Sequence, residues 1–320
     1  MSDVQHRFIT ANGIRMHIAE QGSGPLVVLC HGFPESWYSW RHQLQALADA
    51  GFHAVAPDQR GYGQTERPEA IDQYTQLHLV GDIAGLLDAL GEEQAVIVGH
   101  DWGAPVAWNA ALLRPDRFRA VAALSVPYTP RGGAAPTPTF KAIFGDTFFY
   151  ILYFQEPGRA EAELEADVRL TLRKTLYSAS GSIPAPVATP QSRPKEGTGF
   201  LTGMQDPTSL PAWLSEADLN YYTAEFKRTG FRGGLNWYRN MDRTWELMAP
   251  WHGAKVTVPA LFITGDRDPV LAFAGAGVQA LPENVPNLRE SVVLPGVGHW
   301  TQQEDPAGVN EALVRFLRSL

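Results

Sequence analysis

Cysteine and long apolar stretches are what this sequence has least of. Its 320 residues include one cysteine, Cys30, so no disulfide can form within the chain. Cys30 closes the apolar segment Leu26–Cys30, where a small buried side chain is the expected role. No apolar run approaches the roughly 20 residues of a membrane-spanning helix, and Met1–Arg7 lacks the apolar core of a signal peptide. These absences predict a soluble, cytoplasmic protein in a reducing compartment.

Positive charge and metal-binding patterns are scarce as well. The formal net charge is -8, which argues against binding to nucleic acids or to anionic membrane surfaces. The nine histidines show no spacing typical of a metal site, such as H-E-x-x-H. Gly61-Tyr-Gly63 after a strand is a weak phosphate-binding signal, and a tight turn explains it better. We therefore expect no metal, no cofactor, no nucleic acid and no membrane among its partners.

What the chain does contain is a regular alternation of strand and helix patterns. Asn12-Gly13 between alternating residues predicts an N-terminal hairpin, and short apolar segments followed by helical spacing come after it. The strand candidates are Leu26–Cys30, His53–Pro57, Ala95–Val98, Arg119–Ser125, Val258–Thr264 and Arg289–Leu294. This order predicts an α/β fold, a mostly parallel central sheet flanked by helices.

The alternation is interrupted once. Pro127–Pro138 has six prolines or glycines in its twelve residues, which indicates a connector. The stretch from there to about Trp251 is helical and aromatic in pattern, and within it Ser178–Gly199 predicts an exposed loop. We therefore expect an α/β core, residues 1–127 and 252–320, with an inserted helical cap, residues 128–251.

The sequence around Asp101 has the pattern of a nucleophile elbow. Ala95–Val98 predicts a buried strand, Gly99-His-Asp-Trp-Gly103 a sharp turn, and the Ala-rich segment after it a helix. The glycines fit because strand and helix backbones approach too closely in such a turn for Cβ atoms. A carboxylate attacking an acyl carbon would give an unstable anhydride, whereas attack on an sp³ carbon with a leaving group gives an ordinary ester. Asp101 therefore indicates epoxides or alkyl halides as substrates.

An ester on Asp101 would need a second step, in which a base held by a third group activates water. His299, in Gly298-His-Trp300, follows the last predicted strand and is the candidate base. Asp266 and Asp268 follow the preceding strand, and one of them should orient the imidazole. The spacing alone does not choose between the two aspartates.

Another strand end supplies candidates around the turn His31–Pro34. The backbone N–H groups of Phe33 and Trp102 are expected to form an oxyanion hole for the Asp101 carboxylate. Glu35 follows this turn and His100 precedes the nucleophile. Both are candidates for positioning the hydrolytic water, and salt bridging or core hydrogen bonding explains them equally well.

Five segments together resemble the α/β-hydrolase family of soluble epoxide hydrolases. Three belong to the core and two to the cap: His31-Gly-Phe-Pro-Glu-Ser-Trp-Tyr-Ser-Trp40, Gly99-His-Asp-Trp-Gly103, Gly298-His-Trp300, Tyr150-Ile-Leu-Tyr-Phe-Gln-Glu-Pro-Gly158 and Gly230-Phe-Arg-Gly-Gly-Leu-Asn-Trp-Tyr-Arg-Asn240. The resemblance runs from about residue 6 to the C-terminus, and the cap segments are its more specific part.

The resemblance implies roles that the residues alone left open. It implies Tyr150 and Tyr238 as the pair that hydrogen-bonds the epoxide oxygen, and Asp268 as the acid that orients the histidine. A phenol suits this task because it stays protonated at neutral pH and can give up its proton as alkoxide charge builds. Two features depart from the family pattern, namely Gly234, where a proline or similarly stiff residue is expected, and the long Ser178–Gly199 loop.

Other interpretations compete with these. A haloalkane dehalogenase shares the aspartate elbow, but usually has Asn, Gln or Glu where Phe33 stands and lacks the tyrosine pair. A fluoroacetate dehalogenase usually has Arg in place of Trp102. A catalytically inactive hydrolase fold acting as a receptor would not need an intact triad. Tyr153, three residues after Tyr150, is the main rival for the first phenol.

Aromatic residues limit the class of substrate that we expect. The pocket between core and cap is expected to be apolar, with Phe33, Trp102, Phe144, Phe148 and Phe149 among its candidates. We therefore expect a small lipophilic or aryl epoxide and water as partners. The pattern is compatible with a monomer or a homodimer.

Overall fold

One mixed sheet organises the protein. The computed structural model describes residues 3–183 and 193–320, so residues 184–192 of the predicted loop lie outside the described part. The strands are β1 (Gln5–Ala11), β2 (Ile14–Gln21), β3 (Leu26–Cys30), β4 (His53–Pro57), β5 (Ala95–His100), β6 (Phe118–Leu124), β7 (Ala260–Gly265) and β8 (Leu288–Leu294). Their order is β1-β2-β4-β3-β5-β6-β7-β8. β1, β2 and β4 pair antiparallel and the other neighbours pair parallel, which confirms the predicted fold class.

Sequence explains the two kinds of strand in this sheet. Every residue of β3 and β5 is buried, as expected for central parallel strands that helices cover on both faces. The hairpin between β1 and β2 turns at Asn12 and Gly13, whose φ angles of 48° and 79° suit a tight hairpin turn. The predicted N-terminal hairpin is therefore confirmed.

Helices connect the strands and cover the sheet. They are α1 (Arg41–Asp49), α2 (Gln76–Leu90), α3 (Gly103–Leu113), α4 (Pro136–Phe144), α5 (Tyr150–Tyr153), α6 (Arg159–Leu164), α7 (Val168–Ser178), α8 (Glu216–Thr229), α9 (Arg232–Arg239), α10 (Met241–Leu247), α11 (Leu271–Asn284), α12 (Thr301–Glu304) and α13 (Pro306–Arg318). Helices α1 and α13 cover one face of the sheet, and α2 and α3 cover the other. Within residues 3–183 and 193–320, no helix combines the length and apolarity needed to cross a membrane.

The segment between β6 and β7 carries α4 to α10, and we keep the name cap for residues 128–251. The predicted connector Pro127–Pro138 is too long, because α4 begins at Pro136. Proline is favoured in the first turn of a helix, where its missing N–H is not needed. The amide of Thr137 donates to Asp242 at 2.9 Å, which ties this first turn to α10.

The predicted exposed loop Ser178–Gly199 is wrong at its ends. Ser178 is the last residue of α7, and Ser180 and Gly181 just after it are buried. Thr198, near the other end, is 6% exposed. Gly181 is buried because its backbone packs directly against Gly296, with space for no side chain between them.

The parallel strands all end at one edge of the sheet. The loops after β3, β5, β7 and β8 carry Phe33, Asp101, Asp268 and His299 respectively. In such sheets the crevice beyond the carboxyl ends of the strands is where ligands bind. The fold thus brings the four core candidates together beneath the cap.

Candidate active site

Asp101 stands on a turn that only glycine neighbours allow. Its φ angle is 50°, an unusual backbone conformation for a residue with a side chain. A Cβ on Gly99 would lie 2.0 Å from the carbonyl oxygen of Gly103, and one on Gly103 would lie 2.1 Å from that of Cys30. The crowding that the sequence pattern predicted for strand and helix is therefore present.

Each oxygen of the Asp101 carboxylate has its own neighbour. Oδ1 accepts a hydrogen bond from the backbone N–H of Phe33 at 2.8 Å. Oδ2 lies 3.3 Å from Nε2 of His299. Gly32 lets the turn come this close, because a Cβ there would be 2.4 Å from Oδ1. The amide of Trp102 lies just before α3, and among the described residues no bond from it to a carboxylate is seen.

The other side of the His299 ring meets Asp268. Nδ1 of His299 lies 3.1 Å and 3.2 Å from the two carboxylate oxygens of Asp268. Burial alone would lower the pKa of His299, but the carboxylates of Asp268 and Asp101 raise it well above its usual value. Burial would raise the pKa of Asp268, and His299 outweighs it and lowers that pKa. The exposed Asp266 instead accepts the N–H of Gly296 at 2.7 Å.

Two tyrosines of the cap lie close to this carboxylate. Tyr150 opens α5 and Tyr238 lies in α9, with their ring centroids 6.0 Å apart. Burial raises the pKa of both phenols, and the negative charge of Asp101 is the next cause for each. A hydrogen bond from the side chain of Trp102 to the Tyr238 hydroxyl acts in the opposite direction. Since Trp102 donates that bond, the proton of Tyr238 stays free for another acceptor.

Ring contacts surround the two phenols. The ring of Tyr238 lies 5.6 Å from that of Phe33 and 5.0 Å from that of Phe154, both nearly perpendicular. Tyr150 contacts Phe154 at 5.6 Å and Phe200 at 6.0 Å. Aromatic edge-to-face pairs at such distances are favourable contacts. The space facing Asp101 is therefore bordered by aromatic rings.

The rival tyrosine points elsewhere. Tyr153 stacks with Arg159, whose guanidinium carbon is 4.7 Å from the ring centroid, and its hydroxyl bonds to Glu163. Tyr221 and Tyr222, both in α8 of the cap, contact the core. Their hydroxyls lie 2.7 Å from the indole nitrogen of Trp37 and from Oγ of Ser39, respectively.

Gly234 is explained by the contact between α9 and the core. A Cβ at this position would lie 2.6 Å from both the Phe33 ring and the hydroxyl of Tyr62. A proline here would carry such a Cβ and would push α9 away from Phe33. This departure from the family pattern therefore lets α9, with Tyr238 four residues later, approach the His31–Pro34 turn closely.

Glu35 and His100 form a buried pair behind Asp101. Nδ1 of His100 lies 2.8 Å from a carboxylate oxygen of Glu35, and Nε2 donates to the backbone oxygen of His299 at 2.7 Å. Glu35 also accepts the N–H of Gly32 at 2.8 Å. Burial would raise the pKa of Glu35, but His100 and these bonds lower it to about 2. Both nitrogens of His100 therefore have partners within the protein. A water-positioning role for Glu35 and His100 stays a prediction.

Two residues near the site were not singled out from the sequence. The indole N–H of Trp237 donates to the carbonyl oxygen of Arg60 at 3.1 Å and anchors α9 to the core. Glu304 accepts backbone N–H groups on both sides of His299. The only sequence signal for either is its nearness to Tyr238 or to His299. In residues 3–183 and 193–320, no group of three or more His, Cys, Asp or Glu side chains is arranged to hold a metal ion.

Comparisons with known proteins identify the family of this chain. Residues 25–306 match the family described as the alpha/beta hydrolase fold. The chain is 50% identical to Epoxide hydrolase A of Mycobacterium tuberculosis over 316 residues, covering 98% of this chain and 97% of that one. It is 47% identical to Epoxide hydrolase 3 of Siraitia grosvenorii, covering 99% of each.

Solved structures give the same result. The crystal structure of Epoxide Hydrolase A from Mycobacterium thermoresistibile superposes with a TM-score of 0.94 at 51% identity, covering 99% of each chain. An epoxide hydrolase from an endophytic Streptomyces superposes with a TM-score of 0.95 at 49% identity, covering 100% of this chain and 96% of that one. The chain therefore belongs to the α/β-hydrolase family and, within it, to the epoxide hydrolases.

Proposed function

We propose that this chain converts epoxides to vicinal diols through a covalent ester on Asp101. The observation that carries the proposal is the divided environment of the Asp101 carboxylate. One oxygen accepts the Phe33 N–H at 2.8 Å, and the other lies 3.3 Å from Nε2 of His299. Tyr150 and Tyr238 lie near enough for the charge of this carboxylate to raise their pKa.

In the first step, Oδ2 of Asp101 attacks a ring carbon and the carbon–oxygen bond of the epoxide breaks. Oδ1 remains in the oxyanion hole, with the Phe33 amide and, in this proposal, the Trp102 amide as donors. The ring oxygen takes its proton from Tyr150 or Tyr238. Two donors above the ring and a nucleophile below it orient the epoxide for in-line attack.

The charge of Asp101 coordinates attack with proton donation. While Asp101 is ionised, it raises the pKa of both phenols, so that Tyr150 and Tyr238 hold their protons. As the ester forms, this negative charge disappears and the phenols become stronger acids. The ring oxygen gains negative charge at the same moment, so hydrogen bonding is strongest in the transition state.

In the second step, Nε2 of His299 takes a proton from water, and the resulting hydroxide attacks the ester carbonyl carbon. The acyl–oxygen bond breaks, the diol oxygen receives the imidazolium proton, and the proton of the new carboxylic acid returns to the tyrosinate. The ester no longer carries the Asp101 charge that helped raise the pKa of His299. His299 therefore becomes a base when the ester is present, while Asp268 stabilises its protonated form.

The proposed substrates are lipophilic or aryl epoxides. The rings of Phe33, Phe154 and Phe200 border the two phenols, which favours apolar substituents on the epoxide. A negatively charged substituent would meet the Asp101 carboxylate without a compensating cation in this aromatic border. Faster turnover of a glycidic acid than of styrene oxide would contradict this choice.

A single turnover in ¹⁸O-labelled water tests the mechanism. Excess enzyme is mixed with styrene oxide, and both the diol and the Asp101 peptide are analysed by mass spectrometry. The ester route puts unlabelled carboxylate oxygen into the first diol and leaves ¹⁸O in Asp101. The appearance of ¹⁸O in the first diol would show direct attack by water and would rule the ester out.

A further inference from the structure

We infer that Glu304 is a positioning residue for the ester-hydrolysis step, acting through the two amides that flank His299. The inference rests on the proposed function, because it concerns the second of the two proposed steps. Glu304 does not contact Asp101, and its carboxylate acts on the backbone that carries the base. It is therefore expected to affect hydrolysis without affecting ester formation.

The carboxylate holds the residues before and after His299. Oε2 of Glu304 accepts the N–H of Gly298 at 3.1 Å, and Oε1 accepts the N–H of Trp300 at 3.1 Å. The backbone N–H of Glu304 itself donates to the carbonyl oxygen of Trp300 at 2.8 Å. A carboxylate accepting backbone N–H groups forms stronger hydrogen bonds than a neutral acceptor does. The backbone on both sides of His299 is thus fixed to one side chain.

The same carboxylate also holds the cap. Oε2 accepts the N–H of Gly181 at 2.8 Å, and Oγ of Ser180 lies 3.3 Å from it. The backbones of Gly181 in the cap and Gly298 in the core loop are in direct contact here. A Cβ on Gly298 would lie only 2.2 Å from the nitrogen of Gly181. Glu304 therefore binds N–H groups from the core loop and from the cap at a contact that no added side chain can enter.

The rest of the backbone at His299 has other partners. Its N–H donates to the carbonyl oxygen of Ala179 at 2.8 Å. Its carbonyl oxygen accepts from His100 at 2.7 Å and from Ser125 at 3.0 Å. With Glu304 replaced, these bonds still hold the peptide of His299, while the flanking N–H groups lose their charged acceptor. The loop is then expected to shift rather than unfold.

The two steps of the reaction differ in their need for this alignment. Ester formation requires Asp101 and the phenols, whereas hydrolysis requires Nε2 of His299 to hold water against the ester carbonyl. A misplacement of about 1 Å at a catalytic group slows a reaction by roughly 10²-fold. A smaller shift at His299 would thus slow hydrolysis and leave the ester to accumulate.

The test compares Glu304→Gln with the neighbouring variant Asp305→Asn. Asp305 is a matched control, because its carboxylate also accepts a backbone N–H, that of Gly308 at 3.0 Å, but only caps α13. Rapid mixing with styrene oxide, acid quenching and intact-protein mass spectrometry give the ester-formation and hydrolysis rates. Thermal unfolding of each variant is measured alongside.

We expect Glu304→Gln to slow hydrolysis about tenfold, with ester formation unchanged and the alkylated fraction raised. Asp305→Asn should change stability alone. Equal loss in both steps, or no loss in either, would overturn the inference. If Glu304→Gln does not fold, Glu304→Asp keeps the charge with a shorter reach and should show the same selective loss at a smaller size.

His299→Gln, measured in the same way, separates this inference from the proposed function. If His299→Gln accumulates no ester, the ester mechanism itself fails. If His299→Gln accumulates ester and Glu304→Gln does not, only the role of Glu304 fails.

Discussion

The two halves of the site are held in different ways. In the core half, Asp101 and Asp268 each contact His299 directly, and glycines at crowded turns fix the backbone beneath them. In the cap half, Tyr150 and Tyr238 are placed chiefly by packing against other rings. Backbone geometry therefore positions Asp101 and His299, and aromatic packing positions Tyr150 and Tyr238.

The two halves also have different roles in the proposed reaction. In the proposed mechanism, the core half forms and hydrolyses the aspartate ester, a chemistry that an alkyl halide would also undergo at an aspartate elbow. The cap half stabilises the leaving group, because a phenol can donate a hydrogen bond to the oxygen of an opening epoxide. Changes in the cap half should then alter the first step, and changes at His299 should alter the second.

The largest effect is expected when both proton donors are removed. Tyr150→Phe with Tyr238→Phe should slow ester formation by roughly 10⁴-fold, since loss of one such donor slows turnover about 10²- to 10³-fold. No alkylated enzyme should appear in intact-protein mass spectra after mixing with styrene oxide. Tyr153→Phe is the matched control and should form ester normally, because its hydroxyl bonds to Glu163. An undiminished burst in the double variant would mean that other groups donate the proton.

The core half is tested by replacing the base. His299→Gln should lower steady-state turnover by about 10³-fold while the ester on Asp101 accumulates. The measurement is the mass of the acid-quenched enzyme, followed by identification of the modified peptide. Asp268→Asn is expected to act in the same direction, because Nδ1 of His299 would lose its charged partner. Turnover that stops without accumulated ester would contradict the ester mechanism.

The pH dependence should differ between the two steps. The pKa of His299 is raised by Asp268 and Asp101, and protonated imidazole cannot accept a proton from water. Below the pKa that His299 has in the ester form, hydrolysis should slow by about tenfold per pH unit, and the alkylated fraction should rise. Rapid-quench rates across the neutral range measure both steps. A constant alkylated fraction on acidification would contradict this assignment of the base.

Two glycine substitutions compare the rigidity of backbone contacts in the core half with that of ring contacts in the cap half. Gly103→Ala sets a Cβ against the Cys30 carbonyl, and Gly234→Ala sets one against the rings of Phe33 and Tyr62. Backbone cannot move aside as rings can, so we expect losses of about 3 and about 1 kcal/mol in the free energy of unfolding, respectively. Urea unfolding measures both values. Equal losses would mean that the two halves are equally rigid.

Much of the core could be predicted because its signals are local. Asn12-Gly13 fixes a hairpin, and Gly99 and Gly103 around Asp101 mark the elbow within a few residues. The cap was less predictable, since Pro136 starts a helix inside the expected connector and Ser180 is buried by its contact with a distant loop.

Side-chain partners that lie far apart in sequence were the least predictable part of the site. Spacing did not separate Asp266 from Asp268, because both follow β7 within a few residues and only the folded loop directs one of them to His299. The sequence marked Gly234 only as a departure from the family pattern, whereas its close contact with Phe33, which explains the glycine, depends on the folded structure. Glu304 had only its nearness to His299 as a signal, since an acidic residue in a short helix is usually solvated.

The pairing of Glu35 with His100 links three loops into one cooperative unit. Glu35 accepts the Gly32 N–H of the His31–Pro34 turn, and His100 bridges from the Asp101 turn to the backbone oxygen of His299. None of these loops can open alone without leaving a buried charged group unpaired. Amide protons of Gly32 and His299 should therefore exchange with deuterium only when the whole core unfolds, at a rate common to all three loops.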